Sequence, residues 1–523
     1  MTALRLPGPS LPIAAALLAA VLSASIGYGL SSERLSSERE PDPSKASGLE
    51  AVERPMLRDD LSPADRPRVA TATRLPDRFD RLQPFETMAG GAATLVRLAG
   101  RDSLSQPTPL LDAAARSEFE LGNALFEKLW VSAPSSTQAS DGLGPLYNAR
   151  ACATCHVRDG RGHALDEGEP PPSLVLRLIG ADDKGDPTYG RQLQTSAVPG
   201  QQAEARPVIR FETETVTLAG GEQVTLRRPH IALTDLAYGP LDPATHVSPR
   251  LAPAMTGLGL IEAIHPADLL AGADPDDRDG NGISGRAITV IDPATAQSAL
   301  GRFGWKAEMP DIRAQAATAF STDLGISTPE RSESGGDCTV AQAACLAAPD
   351  GVQARLGPVE APDPVLKLVA DYARHLAVPA RRGAERPEVL AGKALFFRSG
   401  CADCHRPSFV TGRQAPVPFA FQLIWPYSDL LLHDMGEGLA DPGPGGEERP
   451  DRAGRREWRT PPLWAIGLAS EVDPRAGFLH DGRARTLQEA ILWHGGEGQA
   501  ARDRYSDLSA PERRALLAFV ESL

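Results

Sequence analysis

The sequence contains no run of lysine and arginine residues, although it is 523 residues long. Its formal net charge is −14 at pH 7. Proteins that bind nucleic acid or an anionic membrane surface usually concentrate basic residues on one face, because the partner carries a dense negative charge. The charge pattern therefore argues against both as main partners.

Aromatic residues are also scarce. They make up 5% of the chain, whereas glycine (49 residues) and proline (47 residues) are abundant. This composition favours many loops around modest helices over a large regular sheet. A chain with so few aromatic side chains gains core volume if it encloses a prosthetic group.

Long apolar runs are nearly absent, and the one clear example lies at the N-terminus. Residues 11–30 are mostly apolar, follow Arg5 and precede a polar segment. This pattern is typical of a secretory signal, and its length is also close to the roughly 20 residues that span a bilayer. We predict a signal peptide or an N-terminal membrane anchor over residues 1–31, a disordered linker over residues 32–78, and export to the periplasm.

Cysteine is rare, with six residues, but four of them lie in two motifs that end in histidine. The motifs are Cys152-Ala-Thr-Cys155-His156 and Cys401-Ala-Asp-Cys404-His405. Two cysteines at this spacing can reach both vinyl groups of one porphyrin, and the histidine then lies beneath the iron as its proximal ligand. A zinc ribbon needs two further ligands nearby and does not require this histidine. The sequence therefore predicts two covalently bound haem c groups.

The other two cysteines, Cys338 and Cys345, lie in a segment rich in glycine and serine. In an oxidising compartment a disulfide that closes this short loop is expected. The alternative is a pair of buried free thiols. The disulfide and the predicted export support each other.

A short internal repeat precedes the two motifs. Leu121-Gly-Asn-Ala-Leu-Phe126 lies before the first and Ala391-Gly-Lys-Ala-Leu-Phe396 before the second, each in a helical pattern with leucine and phenylalanine on one face. We predict a mainly α fold of two cytochrome c-like domains, an N-terminal one with insertions over residues 79–360 and a C-terminal one over residues 361–523. A small β-hairpin is expected in the N-terminal half, with its turn at Ala219-Gly220-Gly221.

Several passages resemble the bacterial dihaem cytochrome c peroxidase superfamily and, within it, the dihaem oxidoreductase family. The resemblance extends from residue 79 to residue 523 and implies an enzyme whose two haems meet near the domain boundary. The passages are Asp141-Gly-Leu-Gly-Pro145, Gly257-Leu-Gly-Leu-Ile-Glu262, Gly301-Arg-Phe-Gly-Trp-Lys306, Asp429-Leu-Leu-Leu-His-Asp-Met-Gly436, Arg459-Thr-Pro-Pro-Leu463 and Phe478-Leu-His-Asp-Gly-Arg483.

The resemblance implies roles for residues around the N-terminal haem. Trp305 resembles the tryptophan between the haems, and Gln315 the glutamine on the substrate side. The nearest counterpart of the family's acidic proton-transfer residue is Asp323, which is aspartate where relatives have glutamate, at an altered spacing. A shorter carboxylate has a shorter reach toward a bound peroxide. The alternative interpretation is that Asp323 caps a turn.

The resemblance also implies a sixth ligand for the C-terminal haem. His494 matches the end of the helix that carries this ligand, where relatives have methionine or tyrosine. Two imidazoles would lower the haem potential relative to histidine and methionine, because imidazole stabilises ferric iron better. His433 and Met435 are rival ligands. His480 matches a residue between the haems, near the propionates.

A possible calcium loop lies at residues 274–282. Asp277, Asp279 and Asn281 occupy the first, third and fifth positions of such a loop, and Gly282 the sixth. Ile288 stands at the twelfth position, where a glutamate is expected, so the motif is incomplete. Calcium and a solvated turn are both consistent with it.

The expected function is electron transfer to a small oxidant. A small periplasmic donor protein would reduce the C-terminal haem, and electrons would pass by Trp305 to the N-terminal haem, which would reduce peroxide or a related oxidant. One alternative is a non-enzymatic electron carrier, in which Met255 or His265 could supply a sixth ligand to the first iron. The other alternative is a dihaem oxygenase.

Overall fold

The computed structural model describes residues 57–137, 140–181, 184–443 and 449–523. The predicted signal or anchor at residues 1–31 lies outside these ranges, as does the linker as far as residue 56. The last part of that linker includes helix α1 (Asp65–Ala72), which has no buried residue. Arg58, just before it, pairs with Asp60 at 2.7 Å between Nε and Oδ1.

The helices of the described residues are mostly short, and only five have twelve residues or more. In chain order after α1 they are α2 (Ala113–Glu127), α3 (Cys152–Cys155), α4 (Leu258–Glu262), α5 (Pro266–Leu270), α6 (Ile312–Leu324), α7 (Ala343–Leu346), α8 (Asp363–His375), α9 (Pro387–Arg398), α10 (Ala469–Val472), α11 (Leu487–Leu492), α12 (Gln499–Asp507) and α13 (Ala510–Ser522).

Strands are numerous and mostly two to six residues long. They are β1 (Thr94–Leu95), β2 (Val131–Ser132), β3 (Asp141–Leu143), β4 (Leu146–Tyr147), β5 (Leu174–Ile179), β6 (Gln192–Leu193), β7 (Ser196–Ala197), β8 (Arg206–Thr217), β9 (Gln223–Thr234), β10 (His246–Leu251), β11 (Thr289–Ile291), β12 (Ser298–Leu300), β13 (Val378–Pro379), β14 (Phe409–Val410), β15 (Leu423–Ile424), β16 (Leu432–Asp434) and β17 (Glu457–Arg459).

The prediction of a mainly α fold with two cytochrome c-like domains is wrong. The structure is 28% helical and 18% strand, and its strands form many small sheets. One sheet has three strands in the order β10-β5-β6, and the others are pairs. Frequent glycine and proline residues cut the strands to a few residues. Such short strands leave no detectable alternation in the sequence.

The predicted hairpin is present and is longer than the sequence suggested. Strands β8 and β9 pair antiparallel over their whole length, from Arg206 opposite Thr234 to Thr217 opposite Gln223. Gly220 and Gly221 in the turn have φ values of +90° and +84°, which glycine adopts without strain. Arg513 of α13 donates to the carbonyl oxygen of Ala219 at 3.1 Å, which joins the hairpin tip to the C-terminal helices.

The internal repeat corresponds to two similar helix crossings. Helix α2 packs against α8, and α9 packs against α13. A Cβ atom at Gly122 would collide with the carbonyl oxygen of Leu368, and one at Gly392 with that of Ala515. Glycine at the same place in each repeat therefore permits a close helix crossing beside each cysteine motif.

None of the helices in the described ranges is both long and apolar enough to cross a lipid bilayer.

Candidate haem sites

The first site is built on the short helix α3. His156 follows this helix, and its Nδ1 donates a hydrogen bond to the carbonyl oxygen of Pro253 at 2.9 Å. That bond fixes the tautomer and makes Nε2 the atom that can bind a metal. Burial lowers the pKa of His156 to about 4, so the ring is neutral, as a ligand must be. The ring of Phe126 in α2 lies 6.1 Å from it.

The second site repeats this geometry. Nδ1 of His405 donates to the carbonyl oxygen of Tyr427 at 2.9 Å, and burial lowers the pKa of His405 to about 4. The ring of Phe396 in α9 lies 6.3 Å away. Each predicted proximal histidine is therefore held by a backbone carbonyl and contacts the phenylalanine that ends its repeat.

His494 lies close to His405. It follows α11, and its Nδ1 donates to the carbonyl oxygen of Ala490 at 2.8 Å, so Nε2 is again the free ligand atom. The two imidazoles are near enough for charge on His494 to lower the pKa of His405, as a smaller effect than burial. The pair could supply two imidazole ligands to one iron.

The two rivals of His494 differ in their surroundings. Both ring nitrogens of His433 are engaged, Nδ1 with Glu497 at 2.6 Å and Nε2 with Asp429 at 2.9 Å. Burial alone would lower the pKa of His433, but the two carboxylates outweigh it and raise the pKa well above 6.5. The ring is therefore an imidazolium without a lone pair for iron. His433 lies beside the cysteine motif, with Nδ1 3.6 Å from Sγ of Cys404. The Cε atom of Met435 lies beside Gly498, as does His494.

A cavity adjoins the first site, and most of the residues assigned to the N-terminal haem line it. Trp305, Gln315 and Asp323 all lie in its wall with the cysteine motif, and so does Met255. His265 does not line it. Instead, Nδ1 of His265 accepts a hydrogen bond from the backbone of α5, and Nε2 lies 3.2 Å from Asp59.

Asp323 occupies the end of the cavity near the cysteines. Its carboxylate raises the pKa of both Cys152 and Cys155, as a smaller effect than burial. Nε2 of Gln192 donates to Oδ1 of Asp323 at 2.7 Å. Burial raises the pKa of Asp323, and this hydrogen bond opposes the rise. Gln315 lies eight residues earlier in α6, or about 12 Å along the helix axis.

His480 lies between two tryptophans. Its ring stacks on Trp458 with centroids 3.6 Å apart and meets Trp305 edge-on at 6.4 Å. Burial lowers the pKa of His480 to about 3, which keeps the ring neutral. Trp458 of β17 lies opposite His433 of β16. The rings of Trp458, His480 and Trp305 therefore form a row that ends at the first-site cavity and begins on the strand paired with that of His433.

An unpaired cation in the cavity wall fits a haem. The guanidinium of Arg161 contacts the carbonyl oxygen of Gly477 at 3.4 Å and the ring of Phe478 at 5.1 Å. It pairs with no carboxylate of the described residues, and burial lowers its pKa to about 10. A haem propionate would supply the missing negative charge. With the two cysteines and a neutral His156 beside the same cavity, the residues present fit the cofactor.

The candidate calcium ligands form a self-contained turn. Asp277 accepts from the backbone of Gly282 at 3.1 Å, and Asp279 accepts from the backbone of Asn281 at 3.1 Å. Ile288, at the place of the missing glutamate, is a buried apolar residue. Calcium stays a prediction from the sequence.

The structure joins Cys338 and Cys345 by a disulfide, with Cα atoms 6.2 Å apart. The residue before it, Asp337, accepts a hydrogen bond from the backbone of Gln192 at 2.9 Å. The disulfide loop therefore supports the strand whose glutamine contacts Asp323.

Several residues of the site were not identified from the sequence. They are Gln192, Glu308 and Arg161 in the cavity wall and Trp458 in the aromatic path. Glu308 could have been identified most easily from the sequence, because it lies two residues after the Gly301-Arg-Phe-Gly-Trp-Lys306 passage. The others reach the site only through long-range folding.

Two cysteine motifs, each followed by a histidine that a backbone carbonyl orients, define a protein that binds two haems. The chain belongs to the di-haem oxidoreductase family: the model of the family described as "Di-haem oxidoreductase, putative peroxidase" matches residues 85–168 and 191–523. This match confirms the resemblance found in the sequence. Haem is the cofactor, and the protein is a dihaem oxidoreductase.

Other comparisons add little. No curated protein matches the chain. Among solved structures, the chain is similar to Kuenenia stuttgartiensis hydrazine synthase pressurised with xenon, at a TM-score of 0.34 and 13% identity, with 86% of this chain and 100% of that chain covered. A similarity of this size carries no argument about function.

Proposed function

We propose that the protein is an exported c-type cytochrome that reduces peroxide or a related small oxidant at its first site. Thioether bonds at Cys152 and Cys155, and at Cys401 and Cys404, would attach the two haems. The observation that carries the proposal is the difference between the two histidine sites. A second imidazole lies near His405, whereas a cavity whose wall includes Arg161, Glu308 and Gln315 adjoins His156.

The haems, when bound, would supply electron storage and a Lewis-acidic iron at the open site. The chain's own residues would hold the irons and provide the route for electrons. His405 and His494 would hold the second iron with no position for substrate, so this site would accept electrons from a small periplasmic donor. The contact path through Trp458, His480 and Trp305 supports transfer from the second site to the first.

At the first site the chain would bind and orient the oxidant. The side-chain amide of Gln315 can donate to a peroxide oxygen, and Arg161 can neutralise a propionate. The reaction takes two electrons from the donor and two protons from solvent, and converts one hydrogen peroxide into two water molecules. Proton transfer therefore has to be provided within the cavity, where a positioned acid or base typically contributes a factor of about 10² to 10⁴.

Spectroscopy of the purified holoprotein tests this proposal. Optical and EPR spectra are recorded at each reduction level, and carbon monoxide and then hydrogen peroxide are added to the half-reduced form. One low-spin iron with two imidazoles and one iron that takes up both ligands would support it. Two low-spin irons that bind neither ligand would contradict it and indicate an electron carrier.

A further inference from the structure

The loop at residues 303–309 is fixed at both ends and forms part of the cavity wall. Backbone hydrogen bonds between Phe303 and Met309 close it, at 3.0 and 3.3 Å. Nε of Arg459 donates to the carbonyl oxygen of Gly304 at 2.9 Å, and the backbone of Arg459 donates to that of Trp305 at 2.9 Å. The loop therefore presents its side chains to the cavity from a defined position.

One of these side chains is the carboxylate of Glu308, which lies near the amide of Gln315. A Cβ atom built on Gly304 would be 3.8 Å from Oε2 of Glu308 and 3.7 Å from Oε1 of Gln315. The two side chains thus reach the same part of the wall, next to Trp305. Glu308 is exposed and makes no hydrogen bond or ion pair within the described parts of the chain.

Asp323 differs from Glu308 in its hydrogen bonding, its position in the cavity wall and its distance from Gln315. Its carboxylate is already bonded to Gln192 and lies beside the cysteines. It is separated from Gln315 by about two helical turns. A group that relays protons from solvent to a bound oxidant needs access to both, and exposed Glu308 meets this requirement better than Asp323.

We propose that Glu308 is the proton-transfer group for the oxidant bound in the first-site cavity, an assignment that rests on the function proposed above. Its carboxylate would accept a proton from one peroxide oxygen and donate it to the other, so that the O–O bond breaks and one water leaves. Overall, two electrons from the reduced donor and two solvent protons, relayed by Glu308, would convert one hydrogen peroxide into two water molecules.

The test compares Glu308→Gln, Glu308→Asp and Asp323→Asn in the full-chain holoprotein, with Glu120→Gln on the exposed surface of α2 as matched control. Two rates are measured by stopped flow: reaction with hydrogen peroxide and binding of cyanide. Hydrogen cyanide must lose its proton to bind as the anion, so the cyanide rate reports the base without any turnover. Unchanged haem content and optical spectra establish that each variant is folded and loaded.

Glu308→Gln is expected to slow the peroxide reaction by about 10² to 10⁴ and to slow cyanide binding as well. Glu308→Asp should recover part of both rates, and Asp323→Asn should cost at least tenfold less than Glu308→Gln. Glu120→Gln should behave as the wild type.

Wild-type rates in Glu308→Gln, or a larger loss in Asp323→Asn, would overturn the assignment while the proposed function stands. A wild-type protein that binds neither cyanide nor carbon monoxide would overturn the proposed function, and the assignment would fall with it.

Discussion

His480 and Trp458 are stacked face to face, with ring centroids 3.6 Å apart and ring planes 12° apart. Lys306 and Arg250 also lie over the Trp458 ring, 3.8 and 4.6 Å from its centroid. Nearby positive charge opposes removal of an electron from an indole. Among the described residues, no such cation lies over Trp305. Trp305 is therefore expected to lose an electron more easily than Trp458.

Replacement of Trp305 by phenylalanine should therefore slow electron transfer between the two sites severalfold. The measurement is photolysis of carbon monoxide from the half-reduced protein, followed by absorbance changes at the second site. Trp130→Phe, which alters a buried tryptophan in contact with Phe320, is the control. Equal rates in the wild type and Trp305→Phe would exclude Trp305 from the path.

Loss of His494 should open the second site. In His494→Ala the second iron is expected to become high-spin and to bind carbon monoxide, because one of its two imidazoles is gone. EPR at low temperature distinguishes the spin states. Met435→Leu is the matched variant: a spectrum altered by Met435→Leu and unaltered by His494→Ala would assign the ligand to Met435.

The two glycine crossings should be intolerant of a methyl group. Gly122→Ala and Gly392→Ala each place a Cβ against a backbone carbonyl that cannot move freely, and overpacking of this kind typically costs about 1 to 3 kcal/mol. Thermal or denaturant unfolding of the holoprotein measures the loss. Gly272→Ala meets only ordinary contacts, the nearest at 3.5 Å, and should unfold like the wild type.

Replacement of His433 by glutamine should destabilise the fold in a pH-dependent way. The buried carboxylates of Asp429 and Glu497 would lose the cation between them, and breaking a buried ion pair typically costs about 3 to 5 kcal/mol. The pKa of His433 is raised above its ordinary 6.5, so its contribution is complete below pH 6.5 and is lost as the pH rises through the folded value.

The pKa of Glu497 shifts the other way. Burial opposes the shift, but the hydrogen bond and charge of His433 lower that pKa below its ordinary 4.5. Its contribution is complete above pH 4.5 and is lost as the pH falls through the folded value. The difference in unfolding free energy between wild type and His433→Gln should therefore be largest between about pH 4.5 and 6.5. A difference that does not vary with pH would contradict this network.

The sequence predicts the parts of this molecule that depend on local patterns. Helix α13 begins with a capping box of Ser509 and Glu512, a spacing that is visible in the sequence, and the β8–β9 hairpin turns at the expected glycines. Both follow from short-range hydrogen bonding and backbone preference. The two-residue strands could not be predicted, because pairs such as β1 with β13 join segments nearly 300 residues apart.

In the candidate site, too, the features set by local sequence could be predicted and those set by long-range contacts could not. The cysteine motifs predict both proximal histidines, since the residues proposed for attachment and for ligation lie within five consecutive positions. The surroundings of His433 depend on Asp429 and on Glu497 of a distant turn, and no spacing in the sequence distinguishes that engaged ring from a free ligand. The proximity of Glu308 to Gln315 likewise arises only when the loop at residues 303–309 folds against α6.

The repeated helix crossing gives the two haem sites the same supporting side, because a glycine, a phenylalanine and a carbonyl-bound histidine recur beside each cysteine motif. A difference in chemistry between the sites is therefore expected to arise from residues that are not repeated, His494 at the second site and the loop with Glu308 at the first. Exchange of those residues, with the repeated parts left unchanged, would be the most direct way to give one site the chemistry of the other.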